Sequence, residues 1–232
     1  MPSRYSICTP REQLEERLKV EITDSYSPRF NAAPSQLLPV ITNNSPTGFS
    51  FFYWGMDPKW SKNKNISRKL INAEKEKLLE KPSYRKALSS RRCLIPADGF
   101  YGWKSISKRS QVPYRIILNQ TAVFCMAGLW EEYQDELGQA VHTFSIIITE
   151  ANSLVSAISS HMPAILDPSE ERGWLDETIE IEELLALLQP YPAENMGLYT
   201  VSPMINSPNR DMATMVQPVP PVDQFGNYTL FN

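Results

Sequence analysis

The sequence predicts an α+β fold: a curved, barrel-like and mainly antiparallel sheet with a few peripheral helices. Stretches with strand character outnumber helical ones, and the helical ones are scattered. No strand–helix–strand rhythm of a parallel sheet runs through the chain, and 19 prolines punctuate its loops. A chain of 232 residues can bury a sizeable core, and residues 1–232 are expected to form one domain.

In chain order, Thr9-Pro10-Arg11-Glu12 reads as a capping box with proline in the first turn, after which Leu14 and Leu18 share a helix face. Leu37 to Thr42 and Phe49 to Trp54 read as strands around the turn-rich Asn43–Gly48. Leu78 to Leu88 reads as a broken helix that Pro82 restarts. Strands are then predicted at Arg92–Ile95, Phe100–Trp103, Tyr114–Leu118, Ala122–Trp130 and Ala140–Thr149. Glu180 to Leu188 is an amphipathic helix and Leu198–Val201 a late strand.

The net charge of −3 conceals a strong segregation. Residues 59–115 carry 16 Lys/Arg against 4 Asp/Glu, whereas residues 116–232 carry 2 against 16. A positive lobe of this kind is the footprint expected of a phosphate-binding face, although a solvated charged helix would give part of it. No apolar run approaches the roughly 18 residues of a membrane span, and the N-terminus has no signal-peptide core, so a cytoplasmic location is expected. Cys8, Cys93 and Cys125 form no C-x-x-C pair, and the two histidines are distant in sequence. A disulfide framework, a metal site and a cofactor are therefore not expected.

The segment Arg91-Arg92-Cys93-Leu94-Ile95-Pro96-Ala97-Asp98-Gly99-Phe100-Tyr101-Gly102-Trp103 closely resembles the signature of the SOS-response-associated peptidase (SRAP) family of abasic-site-processing proteins. Further blocks resemble that family in the same order: Arg29–Gln36, Trp54–Trp60, Asn72-Ala73 with Glu76, Ala127–Glu131, Thr149–Asn152, Met162-Pro163, and Val201-Ser202 followed by Asn206, Asn209 and Asp211. The resemblance implies recognition of abasic sites in single-stranded DNA. In the family a cysteine exposed by removal of the initiator Met closes a thiazolidine on the ring-opened aldehyde, giving a DNA–protein crosslink.

Transferred position by position, the resemblance is uneven. It implies a site role for Asn72 and DNA contacts for Arg4, Arg29, Lys59, Trp60 and Arg68, with Trp60 available to stack on a base. The family's cysteine is Pro2, its glutamate is Gly102 and its histidine falls on Ser159, with His161 two residues later. Two further family arginines are replaced by Tyr53 and Glu74. Without a thiol beside the terminal amine the thiazolidine cannot close, and Cys8 is too far along the chain to replace it. Covalent cysteine chemistry is therefore expected to be lost. Once Met1 is removed, Pro2 would present a secondary amine able to condense with an aldehyde, with His161 as a general acid or base.

Two other readings stand beside this one. The chain could be a non-catalytic scaffold module that has kept only the fold. The autopeptidase activity in the family's name would need a nucleophile that Pro2 does not offer.

Overall fold

The computed structural model describes residues 2–55, 71–134 and 137–229. Within them, five strands close a barrel. β3 (Leu37–Thr42) pairs with β4 (Ser45–Trp54) and with β6 (Arg92–Ala97), and β6 pairs with β9 (Phe124–Gln134). β9 pairs along most of its length with β10 (Ala140–Glu150), and β10 returns to β4 in parallel. Closure gives every barrel strand a neighbour on both sides, and where β10 runs past β4 and β9 short added strands take up its edges. The burial pattern follows from it: Phe124–Trp130 are buried without interruption, and Glu131–Gln134 alternate where β9 runs out to solvent. The barrel-like expectation holds.

A second sheet lies against the barrel in the order β12 (Met196–Thr200), β8 (Ser110–Leu118), β7 (Gly99–Ser107), β1 (Tyr5–Ile7), β2 (Arg29–Ala32), antiparallel throughout. Two short strands extend the barrel end of β10. These are β5 (Asn72–Glu74), which runs parallel to it, and β11 (His161–Pro163), which runs antiparallel. Pattern reading did not foresee β1, β2, β5 or β11. Each has only three or four residues, too few for alternation to show, and only pairing with neighbours makes them strands.

β6 and β7 are consecutive but belong to different sheets, and Asp98 is the residue between them. Its Oδ2 accepts hydrogen bonds from the Cys8 N–H (2.5 Å), the Thr9 N–H (2.9 Å) and the Thr9 hydroxyl (3.0 Å). Its Oδ1 accepts one from buried Arg115 (2.9 Å). This corrects the capping-box expectation. The Thr9 hydroxyl donates to Asp98 instead of capping a helix, Pro10 is the cap residue, and α1 spans Arg11–Leu18. A Cβ at Gly99 would stand 2.6 Å from Arg115 Nε, so a side chain there would displace the guanidinium that Asp98 holds.

Leu14 and Leu18 share the buried face of α1 as expected, and α2 (Pro82–Ser90) begins at Pro82 and buries Tyr84, Ala87 and Leu88. An unforeseen short helix, α3 (Glu171–Leu175), seats Trp174 in the core, where its indole N–H donates to the Cys93 carbonyl at 3.0 Å. α4 (Ile181–Leu187) buries Leu184. No described helix is long and apolar enough to cross a membrane.

Candidate functional site

One cavity of about 240 Å³ lies between the second sheet and the loop that follows β10. The sheet supplies Phe100, Tyr101, Gly102 and Trp103 from β7 and Gln111 and Ile116 from β8. The loop supplies Val155, Ile158 and Ser159, with His161 at the start of β11, and Pro2 closes the cavity from the N-terminal side. Asn152 shapes that loop: its Oδ1 accepts the N–H groups of Leu154 and Val155, and its Nδ2 donates to the Tyr191 carbonyl at 2.6 Å. The Thr149–Asn152 block thus holds the pocket wall from behind.

Asn72 reaches the site because β5 pairs alongside β10 with Asn72 opposite Ile146. Its Nδ2 donates to the Pro2 carbonyl at 2.9 Å, which clamps the N-terminal segment at the pocket. Its Oδ1 is buried and has no partner. Two buried side-chain polar atoms stand in this condition among the described residues, the other being the Tyr5 hydroxyl. A buried acceptor without a donor costs about 1–3 kcal/mol, so an atom left this way invites a ligand or chain terminus that can donate.

Gly102 sits under Ile158, whose Cγ2 would stand 2.5 Å from a Cβ at that position. Ile158 therefore fills the space a longer side chain at 102 would need. The sequence carried no signal for this, because Ile158 becomes relevant only through its contact. Ser159 Oγ donates to the His161 carbonyl at 2.8 Å, turning inward on its own loop, while His161 Nδ1 is 2.9 Å from Ser160 Oγ. His142 lies elsewhere, 3.0 Å from Glu132 and stacked on Phe52.

Arg4 is not in the pocket wall. Its guanidinium donates to Asn31 Oδ1 at 3.1 Å and to the Asn206 carbonyl at 3.5 Å, and burial lowers its pKa from the usual guanidinium value. Asn206 also accepts the Trp103 indole N–H at 2.7 Å, so Arg4 reaches the pocket rim through one shared residue. Arg29 pairs with Asp211 at 3.3 Å, and Asp211 also accepts the N–H groups of Phe30 and Asn31. This accounts structurally for the block behind Val201-Ser202. Lys59, Trp60 and Arg68 lie outside the described residues.

The basic segment divides by role. Arg92 is buried, donating to the carbonyls of Leu88, Ser89, Trp174 and Asp176, and Arg115 is bound to Asp98, Ser6 and Tyr199. These two arginines hold the fold together. Lys81, Arg85 and Lys86 are exposed around α2, and Lys108 and Arg109 are exposed at the tip of the β7–β8 hairpin. Glu74, at the position of a family arginine, is paired with Lys77. Its carboxylate is held below the usual range, chiefly by that bond.

Cys8 lines a separate cavity with Asp98 and Arg115. Burial pushes its thiol up to about 12, and the adjacent Asp98 carboxylate adds to the shift while Arg115 opposes it. A protonated thiol in another cavity cannot stand in for a cysteine at position 2. Among the described residues no group of three or more His, Cys, Asp or Glu could hold a metal ion.

A family profile described as SOS response associated peptidase (SRAP) matches residues 1–208. The abasic site processing protein YoqW of Bacillus subtilis is 36% identical over 222 residues, covering 94% of this chain and 99% of that protein. The abasic site processing protein YoaM of the same organism is 39% identical over 193 residues, covering 82% and 85%. A crystal structure of a Bacteroides thetaiotaomicron protein superposes with a TM-score of 0.77 at 28% identity, covering 93% of this chain and 99% of that one. A Bordetella bronchiseptica protein gives 0.73 at 22% identity over 86% and 99%, a likeness of fold.

Proposed function

Because the chain belongs to the SOS response associated peptidase (SRAP) family, we propose that it recognises abasic sites in single-stranded DNA and lacks the family's thiol ring closure. The observation that carries this reading is the clamp of Asn72 on the Pro2 carbonyl beside a cavity lined by Gly102, Trp103 and His161. The cavity offers room for a sugar, and the β7–β8 hairpin that helps to line it carries exposed Lys108 and Arg109, which suits a baseless sugar in a single strand. The names of YoqW and YoaM, abasic site processing proteins, support the lesion class. Arg4, Arg29, Lys59, Trp60 and Arg68 are the proposed DNA contacts, on one domain spanning 1–232.

A second reading concerns Pro2, and the unpartnered Asn72 Oδ1 favours it. In the form of the chain that starts at Pro2, the prolyl nitrogen gains N–H donors within reach of the amide that already holds its carbonyl. The free amine would add to the abasic aldehyde, and loss of water would leave an iminium. Removal of a C2′ proton, for which His161 is the available base, would send electrons to that nitrogen and break the C3′–O bond, with the 3′ phosphate as leaving group. Water would then hydrolyse the iminium and return the amine.

The test is a gel of abasic single-stranded oligonucleotide incubated with protein of mass-verified N-terminus, with and without borohydride. Salt-dependent binding with no heat-stable crosslink supports the first reading, and borohydride trapping with strand scission adds the second. Absence of binding at low salt would leave the scaffold reading.

A further inference from the structure

Residues 221–229 make a tight turn beyond the segment that the family profile matches. Asp223 organises it. Its Oδ1 accepts the N–H groups of Phe225 and Asn227, both at 2.9 Å, and its Oδ2 accepts the Ser110 hydroxyl at 3.0 Å and the Asn227 amide at 3.3 Å. Gln224 fastens the turn to the β7–β8 hairpin: its Oε1 accepts the Gln111 N–H at 2.7 Å, and its amide donates to the Arg109 carbonyl at 2.6 Å. Gln111 is itself a wall residue of the cavity. The turn is therefore one side chain away from the site and held by hydrogen bonds to it.

What this scaffold displays is aromatic. Phe225 is 68% exposed and Tyr228 75% exposed, beside exposed Lys108 and Arg109 on the hairpin that carries the turn. One exposed ring would need no explanation. Two rings on a braced turn, with the local carboxylate consumed by hydrogen bonds and two cations adjacent, form a mixed aromatic and basic surface. A protein-docking patch would be broader and more continuously apolar.

We propose that this turn is a stacking platform for the nucleobases of single-stranded DNA flanking the residue held in the cavity. The proposal rests on the DNA-binding reading above. Rings on which any base can stack, with cations for the phosphates between them, hold a single strand without reading its sequence. The turn's attachment to Gln111 places the platform on one side of the site, so flanking bases on one side of the lesion should use it.

The test is equilibrium binding of thymidine oligonucleotides carrying a tetrahydrofuran abasic analogue, with thymidines on the 5′ side only, the 3′ side only, or both. Phe225→Ala combined with Tyr228→Ala should weaken binding of one of the two single-flank substrates by about 5- to 150-fold for each stacked base lost. It should leave the opposite flank unchanged. Phe225→Trp with Tyr228→Phe should restore the affinity, and the melting temperature should stay within error, since both rings stand in solvent. Equal affinity of the alanine variant and the wild type for every substrate would overturn the platform while leaving the proposed function intact. A change in oligomeric state would reassign the rings to self-association and overturn it also. Failure of the wild type to bind any of the oligonucleotides would remove both.

Discussion

The cavity around Asp98 and the cavity around Pro2 lie on the same second sheet, yet their polar groups are treated in opposite ways. Around Asp98, the carboxylate, the Arg115 guanidinium and the Thr9 and Ser6 hydroxyls all have partners. Around Pro2, the Asn72 carboxamide holds a carbonyl with one end and leaves the other buried without a donor. A saturated buried network fixes one conformation and has nothing left to offer a ligand, whereas an unsatisfied acceptor beside a cavity is a standing cost that binding can relieve. The sulfur follows the same division. Cys8 belongs to the saturated side, and its thiol is kept protonated.

The largest effect should come from breaking the saturated side. Asp98→Ala strands the Arg115 charge, leaves the Cys8 and Thr9 donors unpaired, and should lower unfolding free energy by about 3–5 kcal/mol, measured by urea denaturation. A loss under 1 kcal/mol would contradict the role given to this hub.

Next comes the crowding in the Pro2 cavity. Gly102→Glu forces its Cβ against Ile158 and should cost about 1–3 kcal/mol of stability. Adding Ile158→Ala should recover part of that loss, and a double-mutant cycle with no coupling between the two positions would show that they do not compete for the same space.

Asn72→Ala should cost only about 1 kcal/mol in stability, since it removes one good hydrogen bond and one unsatisfied acceptor together. Its larger effect should be on affinity for abasic single strands. A variant as unstable as Asp98→Ala would erase the distinction drawn between the two sites.

The smallest effect sharpens the comparison through pH. The Cys8 thiol, raised from an ordinary 9 to about 12 in the fold, keeps its proton where an unfolded chain loses it. Its contribution to stability is therefore full below pH 9 and declines as pH rises from 9 towards 12, because the unfolded state then binds fewer protons. Iodoacetamide modification of Cys8 in native protein should keep accelerating through pH 9 without the plateau of an ordinary thiol. Cys8→Ser should leave binding of abasic DNA unaltered.

Pattern and motif in the sequence determined the fold class, the long strands and the family. Strands such as Leu37–Thr42 and Ala140–Glu150 are long runs of mainly apolar residues that the barrel buries almost continuously, which makes them legible without their partners. The absence of a thiol at position 2 was equally plain. Tertiary structure alone decided the rest. Three- and four-residue strands exist only through their partners, and Thr9 serves Asp98 because the crossing between the sheets brings that carboxylate within 3.0 Å of its hydroxyl. Arg92 and Arg115 were counted in the positive lobe, but burial made them internal supports. Ile158 meets Gly102 from 56 positions away and Asn72 meets Pro2 from 70, and only these approaches crowd Gly102 and bury Asn72 Oδ1 without a donor. Packing and desolvation, which set what each of these groups can do, are properties of the assembled neighbours and are not written in any one segment.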